Sequence, residues 1–113
     1  DTDRPELLPV SALFVMIGAV PKTDWLPPEL ARDEGGYLLN GIYILKYARD
    51  QWPLQRLPYP METSMPGVFA AGDVRHGSLH RVVSAASDGA SAVHSCHEFL
   101  NGASSEPAVR RAA

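Results

Sequence analysis

Three blocks of the chain carry a hydrophobic pattern regular enough to predict an element. Ser11 to Ile17 runs Ala-Leu-Phe-Val-Met-Ile without a polar interruption, the pattern of a short strand covered on both faces, as in a parallel sheet; Gly18 ends it. Gly67-Val68-Phe69-Ala70-Ala71 gives a second buried-strand pattern, stopped sharply by Gly72-Asp73. From about His80 to Leu100 the apolar residues Val82, Val83, Ala85, Ala86, Ala90, Val93, Cys96, Phe99 and Leu100 recur at three- and four-residue spacings, which predicts an amphipathic helix. Ser84, Ser87, Ser91, His94, Ser95 and Glu98 largely take its other face, and Asn101-Gly102 supplies a stop.

The connecting stretches are punctuated by proline and glycine. Residues 1–10 are polar, with Pro5 and Pro9, and read as a lead-in loop. Pro21, Pro27 and Pro28 break up the next stretch, although Pro28 to Arg32 can begin one helical turn. Gly35-Gly36 makes a turn. Tyr37-Leu38-Leu39, Asn40-Gly41 and Ile42-Tyr43-Ile44 resemble two short strands around a type I′ turn, while Leu45 to Arg49 fits a helix equally well. Asp50 to Pro66 holds Pro53, Pro58, Pro60 and Pro66, a density that predicts an extended surface loop. Residues 103–113 are small and polar with a basic end, and are expected to be disordered. The resulting fold class is α/β: buried parallel strands, a short β-meander or hairpin, and a long helix, with residues 1–102 as one unit.

Composition narrows the function. The 113 residues are 45% hydrophobic and 20% charged, the balance of one ordinary domain. Ten basic against thirteen acidic residues give a net charge of −3, without the basic excess that binding to a phosphate backbone demands, so no nucleic-acid partner is expected. The longest apolar run, Ala12 to Val20, is about half of the roughly 20 residues that span a bilayer, so no membrane role is expected. Cys96, a single cysteine, cannot form an internal disulfide, and no cleavable leader opens the chain; a cytoplasmic location is expected. The first residue is Asp, which fits a processed product or a piece of something longer.

The candidate chemistry lies where the second strand meets the helix. In open parallel sheets ligands bind outside the carboxyl ends of strands, and Asp73 stands at such an end. Gly72 permits close backbone approach, and the Asp73 carboxylate can accept hydrogen bonds from ligand hydroxyls. The following helix aims its unsatisfied N–H groups at the same crevice, favouring an anionic or electron-rich group. The residues alone leave two readings open: a site for a sugar- or phosphate-bearing ligand, or a turn in which Asp73 only satisfies the loop.

Other constellations carry less. His80, Ser84 and Asp88 lie at four-residue steps, but a catalytic triad needs the histidine between nucleophile and acid, and here the serine is in the middle. His94 and His97 lack third and fourth metal ligands at an obvious spacing. Cys96 falls on the apolar stripe as a small core residue, Lys22 reads as a solvated side chain, and Trp25 and Trp52 beside prolines read as loop packing.

Two long stretches carry a specific resemblance. Thr63-Ser64-Met65-Pro66-Gly67-Val68-Phe69-Ala70-Ala71-Gly72-Asp73-Val74 resembles the second flavin motif of thioredoxin reductase and related flavoproteins of the pyridine nucleotide-disulphide oxidoreductase superfamily. Leu13 to Thr23 resembles the strand and Gly-x-x-Pro-x-Thr segment that precedes that motif. The resemblance implies the C-terminal segment of a Rossmann-like FAD-binding domain, incomplete as a stand-alone fold because the glycine fingerprints for flavin pyrophosphate and nicotinamide nucleotide are not in these residues. It implies FAD as cofactor, with NADPH or NADH bound by another part of the protein. Its partners would be the missing N-terminal part of the flavin domain, the nicotinamide-nucleotide domain and a second copy in a homodimer.

Carried over residue by residue, the resemblance puts a ribityl hydroxyl on Asp73, with Gly72 and Val74 giving backbone approach. His80, Arg81 and Val82 fall where the family has an Arg-Gln-Ala-like triplet at the helix start, and the backbone N–H groups of Arg81 and Val82 would face the pyrimidine edge of the isoalloxazine. The triplet's side chains are not kept, which leaves a side-chain contact from His80 without support. No catalytic residue and no metal ligand is implied within the chain. Gly41 to Glu62 is longer than in common thioredoxin reductases, and Trp52-Pro53-Leu54 with Glu62-Thr63-Ser64 resembles a branch often fused to sensory domains. Two functions remain open: part of an oxidoreductase passing hydride from NAD(P)H through FAD to a disulfide or other acceptor, the isolated chain being inactive, or a non-catalytic half domain serving association or regulation.

Overall fold

The structure, a computed structural model, describes residues 5–105. Two α-helices are present among them, α1 (Ile42–Tyr47) and α2 (Val82–Ser105), with 3-10 turns at Arg49–Gln51 and Gly72–Val74. In place of continuous strands there are isolated bridges: Arg32 with Leu38 antiparallel, Leu38 with Arg75 parallel, Asn40 with Thr63 antiparallel and Glu62 with Phe69 antiparallel. Leu38 is therefore the centre of a three-segment stitch, its amide donating to Val74 O at 2.9 Å and its carbonyl accepting from His76 N at 2.8 Å.

Several predicted elements are corrected here. Ser11–Ile17 forms no strand, and its side chains face solvent, with Leu13 83%, Met16 90% and Ile17 90% exposed. A parallel strand is held by neighbours on its edges and faces, and none of the described residues lies beside this one. The second predicted strand shrinks to the single bridge at Phe69, and the parallel pairing of the described residues is confined to Leu38 and Arg75. The hairpin around Asn40-Gly41 is also absent. Instead the chain reverses at Asp33–Gly36, where Asp33 N donates to Tyr37 O and Gly36 N to Asp33 O, and Ile42-Tyr43-Ile44 opens α1 rather than a strand. Four-residue spacing decides this: Ile44 and Ala48 are 0% and 5% exposed and pack with Ala31 and Leu39 under Tyr43 and Trp52, whereas alternation would have buried Ile42, which is exposed. A second cluster joins Leu30, Leu38 and Ala70 to Leu26, Met65 and Val74. The proline-rich segment holds no long regular element, as its composition predicts, but its end leaves the surface, with Glu62, Thr63 and Ser64 buried.

That loop is closed by a buried carboxylate. Glu62, 0% exposed, takes both guanidinium arms of Arg56 at 2.8 Å, the Tyr59 amide at 2.8 Å and the Gly67 amide at 2.9 Å. Burial by itself pushes this carboxyl up, but Arg56 and the two amides outweigh it and hold it below the ordinary carboxylate range. Arg56 also lies over the rings of Tyr59, Trp52 and Phe99, so its stem and face are packed as well as its charge.

α2 begins close to its predicted start but runs past Asn101-Gly102 to Ser105, so the first residues of the predicted tail are helical; 106–113 lie outside the described residues. Its inward face also differs from the predicted one. Asp88 and Ser95 are buried, Cys96 and Phe99 partly so, while Val82, Val83, Val93 and Leu100 are 59% to 87% exposed. Small side chains let the helix approach the 62–74 loops closely. Phe99 stacks edge-on against Phe69 at 6.2 Å and over Gly67, where a Cβ would come within 2.8 Å of the Phe99 ring. Gly67 also has φ +81°, so both its backbone and its neighbour exclude a side chain.

Gly67→Ala is expected to lower stability by about 2 kcal/mol through strain and overpacking, read as a fall in melting temperature of the intact protein. Because Glu62 is depressed in the folded state, its stabilisation is full above the unfolded glutamate pKa of about 4.3 and is lost as pH falls through the lower folded value. Urea melts at pH 7 and pH 3 should differ less for Glu62→Gln than for the parent protein.

Candidate functional site

The 3-10 turn Gly72–Val74 puts Asp73 at its apex, directly after a glycine with φ +78°. Around it lies a 230 Å³ cleft that gathers three separate parts of the chain: Ala19 to Lys22, Tyr37, and Asp73, Val74 and His80. Tyr37 holds the first part in place, its hydroxyl donating to Ala19 O at 3.1 Å, and Thr23 Oγ1 donates to Gly36 O at 2.7 Å. Tyr37 also meets the His80 ring edge-on at 5.6 Å. The Ala19–Lys22 part of the Leu13–Thr23 segment and the Gly72-Asp73 turn, far apart in sequence, thus meet at one place.

The Asp73 side chain is 58% exposed; Ser78 Oγ donates to its Oδ1 at 3.2 Å, and His80 Nδ1 lies 3.9 Å from its Oδ2. It therefore retains acceptor capacity toward the cleft. The Gly72 amide is committed inside the protein, donating to Asp88 Oδ2 at 3.1 Å, and the Val74 carbonyl accepts from Leu38.

His80 bends the chain into α2 with φ +52°, its amide donating to Ser78 Oγ at 3.3 Å. Ala85 N donates to Arg81 O, making Arg81 the residue before the first helical turn. The amides that follow have no partner within the helix and carry the positive end of its dipole. Val82 is 87% exposed, so this end of α2 is open.

Three features beside the turn were not singled out from the sequence. Asp88 and Arg75 form a bidentate pair at 2.5 and 2.8 Å. His76 Nδ1 donates to Asp33 Oδ2 at 2.6 Å, while Asp33 Oδ1 accepts the amides of Gly35 and Tyr37 at 2.8 and 3.0 Å. Burial pushes the Asp33 carboxyl up, but His76 and those amides outweigh it and hold it low. Tyr37 itself completes the set. Each joins residues at least 13 apart in sequence, or depends on a turn, which no local motif displays.

The remaining sequence candidates do not assemble into a site. His80 and Asp88 serve different partners, since Asp88 is taken by Arg75. His94 lies 3.8 Å from Glu98 on the exposed face. Among the described residues no three His, Cys, Asp or Glu side chains converge as metal ligands, and no helix is long and apolar enough to cross a membrane. Trp52 packs on the α1 core and donates to Arg56 O at 2.6 Å, whereas Trp25 is 80% exposed.

No protein-family model matches the chain. It is 34% identical over 100 residues to a thioredoxin reductase of Debaryomyces hansenii, covering 88% of this chain and 26% of that protein. It is 36% identical over 100 residues to a thioredoxin reductase of Treponema pallidum, covering 88% and 27%. A protein named NADH dehydrogenase from Ferdinandcohnia aciditolerans is 28% identical over 100 residues, covering 88% and 16%. The chain spans about a quarter of the length of the thioredoxin reductases it matches. Over most of its length it is thus thioredoxin reductase-like, and this likeness carries with it a Rossmann-like α/β fold, of which the described residues hold few strand contacts.

Asp33→Ala is expected to speed hydrogen exchange at the Gly35 and Tyr37 amides about tenfold, the loss of roughly one charge-assisted bond each. Exchange mass spectrometry over residues 33–37 of the intact protein measures it.

Proposed function

We propose that this thioredoxin reductase-like segment contributes the ribityl and isoalloxazine contacts of an FAD site that it shares with another part of its protein. The observation that carries the reading is the cleft at Asp73, where a carboxylate with spare acceptor capacity, the Ala19–Lys22 segment and His80, two residues before α2, meet. The donor set fits a hydroxyl-bearing chain that ends in an electron-rich ring. Asp73 would accept from a ribityl hydroxyl, and the backbone amides of Arg81 and Val82 would face the pyrimidine edge. FAD, when bound, supplies the hydride chemistry. The protein's part is to hold the cofactor and to place positive potential where reduced flavin gathers negative charge.

On this reading the whole protein passes hydride from NADPH or NADH to FAD and on to a disulfide or other acceptor, and the isolated chain is inactive. The nicotinamide nucleotide, the flavin pyrophosphate and a sensory domain, where one is fused, belong to other parts of the protein. The exposed run from Leu13 to Ile17 and the exposed side chains of Val82, Val83 and Val93 on α2 support the missing remainder of the flavin domain as their cover, because apolar surface of this extent is seldom left to water. The same surfaces favour a second reading, a half domain kept for association, in which a second copy or another chain covers them. Cytoplasmic residence accompanies either reading.

Asp73→Ala in the intact protein is expected to lower FAD retention at least tenfold, one lost charge-assisted hydrogen bond being worth about 1.5–3 kcal/mol. The ratio of flavin to protein absorbance after purification measures it. Undiminished flavin in the variant would contradict the assignment of Asp73, and a colourless parent protein would favour the association reading.

A further inference from the structure

One carboxylate of α2 grips both ends of the turn that carries Asp73. Asp88 Oδ2 accepts the Gly72 amide at 3.1 Å and Arg75 Nε at 2.5 Å, and its Oδ1 accepts Arg75 Nη2 at 2.8 Å. The turn closes on itself between these anchors, Arg75 N donating to Gly72 O at 3.3 Å. Asp88 is only 5% exposed, so these contacts are made away from solvent, where fixed geometry is well enforced. Gly72 is in the left-handed region, a conformation that sets where its amide points and that most side chains would resist.

Asp73 stands between the two anchors. Its own carboxylate is more than half exposed and, among the described residues, has only the Ser78 hydroxyl within hydrogen-bond distance, so its position is fixed from behind, through its backbone. Asp88 also lies six residues beyond Val82 on the same helix, about 9 Å along its axis. The contact therefore fixes Asp73 relative to the open end of α2 as well as relative to the turn.

We propose that Asp88 is the positioning residue of the Asp73 site, holding the Gly72–Arg75 turn so that the Asp73 carboxylate and the first amides of α2 meet one ligand together. The inference rests on the flavin reading above. Asp88 touches no ligand on this account and acts through Asp73. Its loss frees the Arg75 side chain and the Gly72 amide, the turn samples other conformations, and a ligand hydroxyl no longer finds its acceptor at a fixed place. Residues that act through one another give non-additive effects, whereas independent ones add.

The test is a double-mutant cycle on the FAD dissociation constant of the intact protein, read by flavin fluorescence after bound FAD has been removed and titrated back. Asp88→Asn is expected to weaken FAD binding about tenfold when Asp73 is present and less than about twofold in the Asp73→Ala background. Equal factors in the two backgrounds, or no change on Asp88→Asn, would overturn the inference. Far-UV circular dichroism establishes that each variant is folded. If Asp88→Asn is not, Arg75→Lys, which keeps the charge and loses the bidentate grip, goes through the same cycle and is read by the same criteria. A parent protein that binds no FAD refutes the flavin reading and this inference with it, while FAD binding with equal factors refutes the inference alone.

Discussion

The carboxylate of Glu62, sealed from water and accepting four hydrogen bonds, is the interaction on which the rest of the described structure depends. The chain from Trp52 to Gly67 contains too many prolines to pair in a sheet, and a buried polar backbone without partners would be costly. Glu62 resolves this by drawing two of the loop's amides and the Arg56 guanidinium to one point. Its carbonyl accepts from Gly41 at the head of α1, and its bridge to Phe69 leads the chain toward Gly72. The buried charge is tolerable because its partners are complete. Asp33 and Asp88 repeat the device on a smaller scale: Asp33 accepts two backbone amides and Asp88 one, each while pairing with one basic side chain.

This style of construction explains which parts of the fold could be read from the sequence. α2 was legible because its spacing persists over many residues, and the 33–36 reversal because Gly35-Gly36 is a local signal. The face that α2 turns inward was not, since Asp88 and Ser95 are buried while Val82 and Val93 are exposed. Hydrophobic periodicity reports which face is apolar, and the described residues cover that face only in part, at Ala85, Cys96 and Phe99. Ser11–Ile17 fails for the same reason. Its composition is that of an interior parallel strand, and the neighbours such a strand requires are not among the described residues. The Ile42–Ile44 segment is a different case, in which alternation and four-residue spacing competed and the burial of Ile44 with Ala48 decided for the helix.

The candidate site was legible in its sequence-local part. Gly72-Asp73 between an apolar run and a helix marks a candidate place for a ligand, and the structure brings the distant Ala19–Lys22 segment to it. What could not be read is what holds the turn there. Arg75 and Asp88 are thirteen residues apart, and His76 and Asp33 forty-three; neither separation belongs to a motif, and both pairings exist only once the chain has folded. Gly72 shows the limit from the other side. Its type and position suggest backbone approach to a ligand, and no local motif shows that its amide also donates to Asp88.

The proposed FAD site is divided, with Asp73 and the start of α2 forming one side of it. Hydrogen exchange of the intact protein with and without FAD tests it most directly, since protection reports where a ligand orders the backbone. The account predicts slower exchange on FAD binding in two separate stretches, residues 72–75 and 81–84, with residues 56–67 unchanged because Glu62 already holds them. FAD binding that leaves both stretches exchanging at their original rates would contradict it.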